Sequence, residues 1–196
     1  DDGASAGQDD FLQESLESAD AGLARLEELL LWPVQHRATF EQVPGLTGPR
    51  GVLLRGEPGT GKTRAARVIC AKISRLAPCH LFTAPLDMGE AGRLEERLRD
   101  LFQDAHDFCQ SKGKASRAVI FLDELDGICP KRQDGKVAES RAVAQLLTLM
   151  DGLGGADRRI VVIAATNRPD AIDPALRRPG RFEVEIEFRP PDAAAR

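Results

Sequence analysis

Eight residues, Gly56-Glu57-Pro58-Gly59-Thr60-Gly61-Lys62-Thr63, fit the phosphate-binding pattern G-x-x-x-x-G-K-[ST]. Its glycines let the backbone fold so that successive N–H groups face one anion. Lys62 is spaced to reach the β- and γ-phosphates, and the Thr63 hydroxyl is a ligand for Mg2+. The flanks have the order that such a loop needs. The apolar run Val52-Leu53-Leu54 precedes it, and the helix-compatible Arg64-Ala65-Ala66-Arg67-Val68-Ile69-Cys70 follows. A helix starting there adds unpaired N–H donors and a partial positive charge. The bland alternative is a glycine-rich turn with an exposed lysine, and the strand and helix flanks argue against it. The spacing predicts a loop that binds a nucleoside triphosphate.

Three further groups are placed to complete that chemistry. Asp123 and Glu124 directly follow five apolar residues, Ala118-Val119-Ile120-Phe121-Leu122. In an open parallel sheet, ligands sit beyond the carboxyl ends of strands, which would bring this acidic pair beside the loop. Asp123 is then expected to hold Mg2+ and Glu124 to orient and deprotonate a water; a solvated acidic turn is the competing reading. Asn167 follows a second apolar run, Ile160-Val161-Val162-Ile163-Ala164-Ala165, and its neutral amide suits positioning of that water. Standing alone, Asn167-Arg168-Pro169 would read as a turn. Lastly, Arg177-Arg178-Pro179-Gly180-Arg181 is too basic for a core. It is either a solvated loop or a source of planar, permanently charged donors, Arg178 and Arg181, for a neighbouring subunit's phosphate.

The elements that must position these residues alternate along the chain. An apolar stripe at Leu23, Leu26 and Leu30 predicts a helix that Pro33 stops. Ala66, Ile69 and Ile73 share one face of the helix after the loop. A second strand is expected at residues 80–84. A long amphipathic helix carries Leu94, Leu98, Leu101, Phe102 and Ala105. Val143, Leu146, Leu147 and Met150 form another helical stripe, expected to be capped by Gly152. The two continuous apolar runs read as strands buried on both faces, and the alternating Val184-Glu185-Ile186-Glu187-Phe188 as one nearer an edge. Five strands interleaved with helices give a parallel α/β sandwich.

Composition narrows the classes of function. A chain of 196 residues is one good-sized domain, or one domain with a tail, and 42% hydrophobic content argues against disorder over most of it. A net charge of −4 argues against nucleic acid as a direct ligand. Cys70, Cys79, Cys109 and Cys129 lack a C-x-x-C spacing and read as reduced, mostly buried thiols of a cytoplasmic or nuclear protein. They form no ligand pattern with His36, His80 and His106, so no structural zinc is expected. No apolar run is long enough to span a membrane. Residues 1–19 read as a flexible acidic leader, 20–192 as the α/β domain, and 193–196 as the start of a segment that continues beyond this stretch.

Together the motifs resemble the AAA ATPase family. The resemblance rests on 57–63, on Asp123-Glu124-Leu125-Asp126, on Ala165-Thr166-Asn167-Arg168-Pro169-Asp170, and on Asp173-Pro174-Ala175-Leu176-Arg177-Arg178-Pro179-Gly180-Arg181-Phe182. Residues 145–153 are particularly similar to valosin-containing protein and its spermatogenesis-associated, ribosome-maturation relatives. The resemblance implies a three-layer P-loop NTPase sandwich with a five-stranded parallel sheet in the order 5-1-4-3-2, and a C-terminal helical lid that is missing here. It implies ATP and Mg2+ as ligands, a homo- or hetero-hexameric ring, and a protein substrate that is unfolded, extracted or remodelled, with ribosome maturation as one setting. It marks Lys62 and Thr63 as Walker A, Asp123 and Glu124 as Walker B, Asn167 as sensor 1, and Arg178 and Arg181 as fingers acting in trans.

The chain departs from the family pattern in three places. Relatives usually have a second proline where Glu57 stands, a Gly-Gly turn where residues 17–20 stand, and an aromatic or aliphatic pore-loop pair within 85–91, where Met88 is the nearest substitute. Glu57 and the missing pore-loop aromatic motivate the alternative of a slowly hydrolysing or non-hydrolysing, nucleotide-gated scaffold module. A DNA-directed clamp-loader or helicase relative fits the phosphate loop but neither the acidic balance nor the arginine segment.

Overall fold

A computed structural model describes residues 21–43, 47–83, 93–129, 137–153 and 158–189. The expected leader, the pore-loop stretch, residues 130–136 and residues 190–196 lie outside the described residues.

Five strands form one sheet: β1 (Gly51–Arg55), β2 (Cys79–Thr83), β3 (Arg117–Leu122), β4 (Ile160–Thr166) and β5 (Phe182–Glu187). The order is β2-β3-β4-β1-β5, and every pairing is parallel. Read from the other edge this is 5-1-4-3-2, the order expected. The helices are α1 (Ala21–Gln35), α2 (Arg37–Gln42), α3 (Lys62–Ser74), α4 (Arg93–Lys112), the short α5 (Leu125–Ile128) and α6 (Val137–Gly152).

Side-chain alternation along the strands divides the interior into two layers. Val52, Leu54, Val119, Phe121, Ile163 and Ala165 point to the face covered by α1 and α3. Leu53, Ile120, Leu122, Val162 and Ala164 point to the face covered by α4 and α6. The predicted helical stripes are largely the buried ones: Leu23, Leu26 and Leu30 in α1, Leu94, Leu98, Leu101, Phe102 and Ala105 in α4, and Val143, Leu146 and Met150 in α6, where Leu147 is only partly buried. The alternating β5 lies at one edge and the less buried β2 at the other.

Two local expectations are corrected. Pro33 lies inside α1 and does not stop it. Proline removes one N–H, but the next turn closes because the His36 N–H donates to the Trp32 carbonyl at 2.8 Å. Gly48, with no side chain, leaves room for the Pro33 ring, whose Cγ would lie 3.0 Å from a Cβ at that position. Gly152 belongs to the last turn of α6, without the left-handed backbone of a glycine cap.

Register determines where the strands end. Arg55 pairs with Thr166 and Leu122 with Ala164, so β1, β4 and β3 finish side by side at one edge. Just past β1, Gly56 adopts φ 153°, and a Cβ there would lie 2.1 Å from the Phe188 carbonyl oxygen, which follows β5. Only glycine passes that contact without displacing backbone. Gly56→Ala is therefore expected to lower stability in urea unfolding by more than Gly113→Ala. At Gly113 a Cβ meets nothing within 4 Å and only the left-handed φ of 85° opposes it, a cost of about 1–2 kcal/mol. Equal losses would show that the contact with Phe188 relaxes freely.

Candidate nucleotide-binding site

The loop after β1 turns through left-handed glycines, Gly59 at φ 80° and Gly61 at φ 88°, and hands the chain to α3 at Lys62. No atom lies within 4 Å of a Cβ built on either glycine, so both line open space that a side chain would occupy. The Thr60 hydroxyl donates to the Glu57 carbonyl at 2.9 Å and closes the turn. Glu57 itself is exposed and enters the site through its backbone.

Lys62 is buried at the centre of this loop. Its ammonium donates to the Gly56 carbonyl at 2.8 Å, the Glu57 carbonyl at 2.7 Å and the Asn167 amide oxygen at 2.8 Å. Those bonds use the three donors that the ammonium has. Burial lowers its pKa, and the nearby Asp123 and Asp126 carboxylates oppose that shift. One residue on, the Thr63 hydroxyl donates to Asp123 Oδ2 at 2.9 Å. The first turn of α3 is thus bonded to the end of β3 and, through Lys62, to the turn after β4.

The acidic pair occupies a constrained turn. The other Asp123 oxygen accepts from the Glu124 N–H at 3.0 Å. Glu124 has φ 50° and ψ 47°, and it is the only described non-glycine residue with a positive φ. Left-handed backbone costs an L-residue roughly 1–2 kcal/mol, and such strain gathers where a side chain must be aimed. Glu124 is exposed and stands at the N-cap position of α5 without a capping hydrogen bond from its side chain.

Lys62, Thr63, Asp123, Glu124 and Asn167 are accordingly brought to one edge of the sheet, with the glycines of the loop beside them. A hydroxyl and a carboxylate 2.9 Å apart form a hard-oxygen pair of the kind that suits Mg2+. Open-sided glycines, a buried ammonium and a helix N-terminus suit phosphates. The residues present fit a Mg2+–nucleoside triphosphate.

The arginine segment is divided. Arg181 is bonded within its own chain: Nε and one terminal nitrogen donate to the two carboxylate oxygens of Asp151, each at 2.8 Å, and the other donates to the Ala175 carbonyl at 2.7 Å. This fork-to-fork pair raises the Arg181 pKa and lowers that of Asp151. Arg177 is paired with Glu185 of β5. Arg178 is exposed, and its guanidinium has no hydrogen-bond or ion-pair partner among the described residues.

Three participants were not singled out from the sequence. Asp151 anchors Arg181 across 30 positions of chain. Asp126 accepts from the Thr166 hydroxyl at 2.6 Å, joining the turns after β3 and β4. Thr166 carried one readable signal, a polar residue ending an apolar strand, which once buried must find a partner. Long-range partners such as Asp151 leave no such signal in a single sequence.

Comparison with known proteins agrees with this geometry. Residues 52–190 match the profile of the ATPase family associated with various cellular activities (AAA). Protein SAV of Sulfolobus acidocaldarius is 46% identical over 186 residues, covering 93% of this chain and 22% of its own length. The cell division cycle protein 48 homolog of Archaeoglobus fulgidus is 44% identical over 191 residues, covering 95% of this chain and 24% of its own. The human ATPase family gene 2 protein homolog B is 45% identical over 176 residues, covering 89% and 22%. The chain thus spans about a quarter or less of the length of these curated relatives. No helix among the described residues is long and apolar enough to cross a membrane. With its motifs in order along a five-stranded P-loop sheet and its sequence matched over 52–190, the chain belongs to the AAA ATPase family and is a module of ATPase type.

Proposed function

We propose that this module binds ATP with Mg2+ and hydrolyses it, as one unit of a homo- or hetero-hexameric ring that unfolds, extracts or remodels protein substrates. The observation that carries the reading is the pair of contacts Lys62–Asn167 and Thr63–Asp123, which gather three strand ends around one loop. In this reading the loop Gly56 to Gly61 wraps the phosphates: Glu57, Gly59, Thr60 and Gly61 supply backbone N–H donors, Pro58, which has no N–H, and Gly56, whose N–H is bonded to the Thr166 carbonyl, shape the turn, and Lys62 supplies the cation. Thr63 and Asp123 would hold Mg2+, which when bound neutralises phosphate charge and fixes the triphosphate. The Glu124 carboxylate takes a proton from the attacking water, and the Asn167 amide orients that water.

Arg178 is the better placed finger, since it is exposed and unpaired among the described residues, whereas Arg181 is held by Asp151. A guanidinium contributed in trans is worth roughly 10³–10⁵ in rate. Arg181 acts in trans only if a neighbouring phosphate displaces Asp151; otherwise it holds the turn that presents Arg178. Glu57 gives no support to the slowly hydrolysing alternative, because it is exposed and meets the site through its carbonyl. Four free cysteines support a reducing compartment, cytoplasm or nucleus. Ribosome maturation is one setting in which such a ring would act.

Two outcomes test this reading in the full-length protein. Glu124→Gln should bind ATP with an affinity within a few-fold of the parent yet lose about 10²–10⁴ in turnover, as expected for removal of a general base. Turnover at the parent rate would remove Glu124 from the mechanism. Arg178→Ala should lower hydrolysis in assembled protein and leave the residual rate of dilute monomer unchanged. Equal loss in both preparations would refute action in trans.

A further inference from the structure

Thr166, the last residue of β4, bonds to all three functional turns. It is almost completely buried, so its hydroxyl must be satisfied within the protein. That hydroxyl donates to Asp126 Oδ1 at 2.6 Å and accepts from the Arg168 N–H at 2.9 Å. Its carbonyl accepts from the N–H of Gly56, the first residue of the phosphate loop, at 3.3 Å. The two hydroxyl bonds therefore bracket Asn167, one at the residue before it and one at the residue after.

Asp126 stands at the other end of this link, two residues past Glu124 and inside α5. The Glu124 carbonyl accepts from the Gly127 N–H at 2.9 Å, so the strained Glu124 backbone is fixed to the same short helix. A pull on Asp126 is a pull on the turn that aims Glu124. The Asp126–Thr166 bond thus joins the short helix that follows Glu124 to the strand end that precedes Asn167, in addition to the β3–β4 ladder.

We propose that Asp126 and Thr166 are positioning residues for hydrolysis: their hydrogen bond holds Glu124 and Asn167 at a fixed spacing around the attacking water while touching neither substrate nor metal. This rests on the hydrolytic reading given above. Its consequence is specific. Breaking the bond leaves the phosphate loop and the Thr63–Asp123 pair in place, so nucleotide affinity persists while turnover falls. Misplacement of a catalytic group by about 1 Å can cost on the order of 10²-fold in rate.

The test uses full-length protein, with kcat at saturating ATP, the Kd of a fluorescent ADP analogue, and the urea unfolding midpoint. Thr166→Val keeps the shape and deletes the hydroxyl. It should lower kcat by about tenfold or more with Kd within about threefold, the split expected of an interaction needed in the transition state alone. Thr166→Ser restores the hydroxyl and should return kcat to within about twofold of the parent. Asp126→Ala should match Thr166→Val, and the double variant should be no slower than either, since both break one bond. If Thr166→Val does not fold, Asp126→Ala at its half-buried position carries the comparison. Parent-like kcat in Thr166→Val or Asp126→Ala, failure of Thr166→Ser to rescue, or multiplicative losses in the double variant would each overturn the proposal. Glu124→Gln separates the two levels. Its inactivity alongside an active Thr166→Val would sink this inference alone, whereas normal turnover by Glu124→Gln would sink the hydrolytic reading beneath it.

Discussion

The site depends on the parallel register of β1, β4 and β3. Because Arg55 lies beside Thr166 and Ala164 beside Leu122, the first residues after each strand emerge at one edge within side-chain reach. The Lys62 ammonium links two of those turns, and the Thr63–Asp123 bond links the third. A slip of one residue in β3 would exchange Leu122 with Phe121 between the two cores and rotate Asp123 away from Thr63. Hydrophobic burial on both faces of the sheet is thus what fixes the polar geometry at its edge.

That edge also concentrates charge. Asp123 and Asp126 place two carboxylates close to one buried lysine, and burial works against the lysine's positive form. A triphosphate adds further negative charge, so on the proposed reading Mg2+ and a guanidinium from outside the chain complete the balance. The split between Arg181, tied to Asp151, and Arg178, exposed, is consistent with a turn anchored by one arginine in order to present another.

Much of this was legible in the sequence because the signals are local. The continuous apolar runs at 118–122 and 160–165 announce buried strands, and the glycine spacing at 56–61 announces the loop between β1 and α3. The sheet order came from family resemblance and not from periodicity, which carries no information on which strands are neighbours. Pro33 does not end α1 because a proline removes only one hydrogen bond, whereas the packing of Leu23, Leu26 and Leu30 continues the helix and the absent side chain of Gly48 admits the proline ring, features that a single sequence does not display. The Asp151–Arg181 and Asp126–Thr166 bonds span 30 and 40 residues, and only the folded chain brings them together.

The central claim is convergence of Lys62, Thr63 and Asp123 on a single metal–nucleotide pocket. The direct measurement is electron paramagnetic resonance titration of Mn2+, standing in for Mg2+, in the presence of a non-hydrolysable ATP analogue. The account predicts one nucleotide-dependent Mn2+ site that is weakened about tenfold or more by Asp123→Ala, as expected when a metal ligand is lost, and is absent in Lys62→Ala. Mn2+ bound with parent affinity in both variants would contradict it.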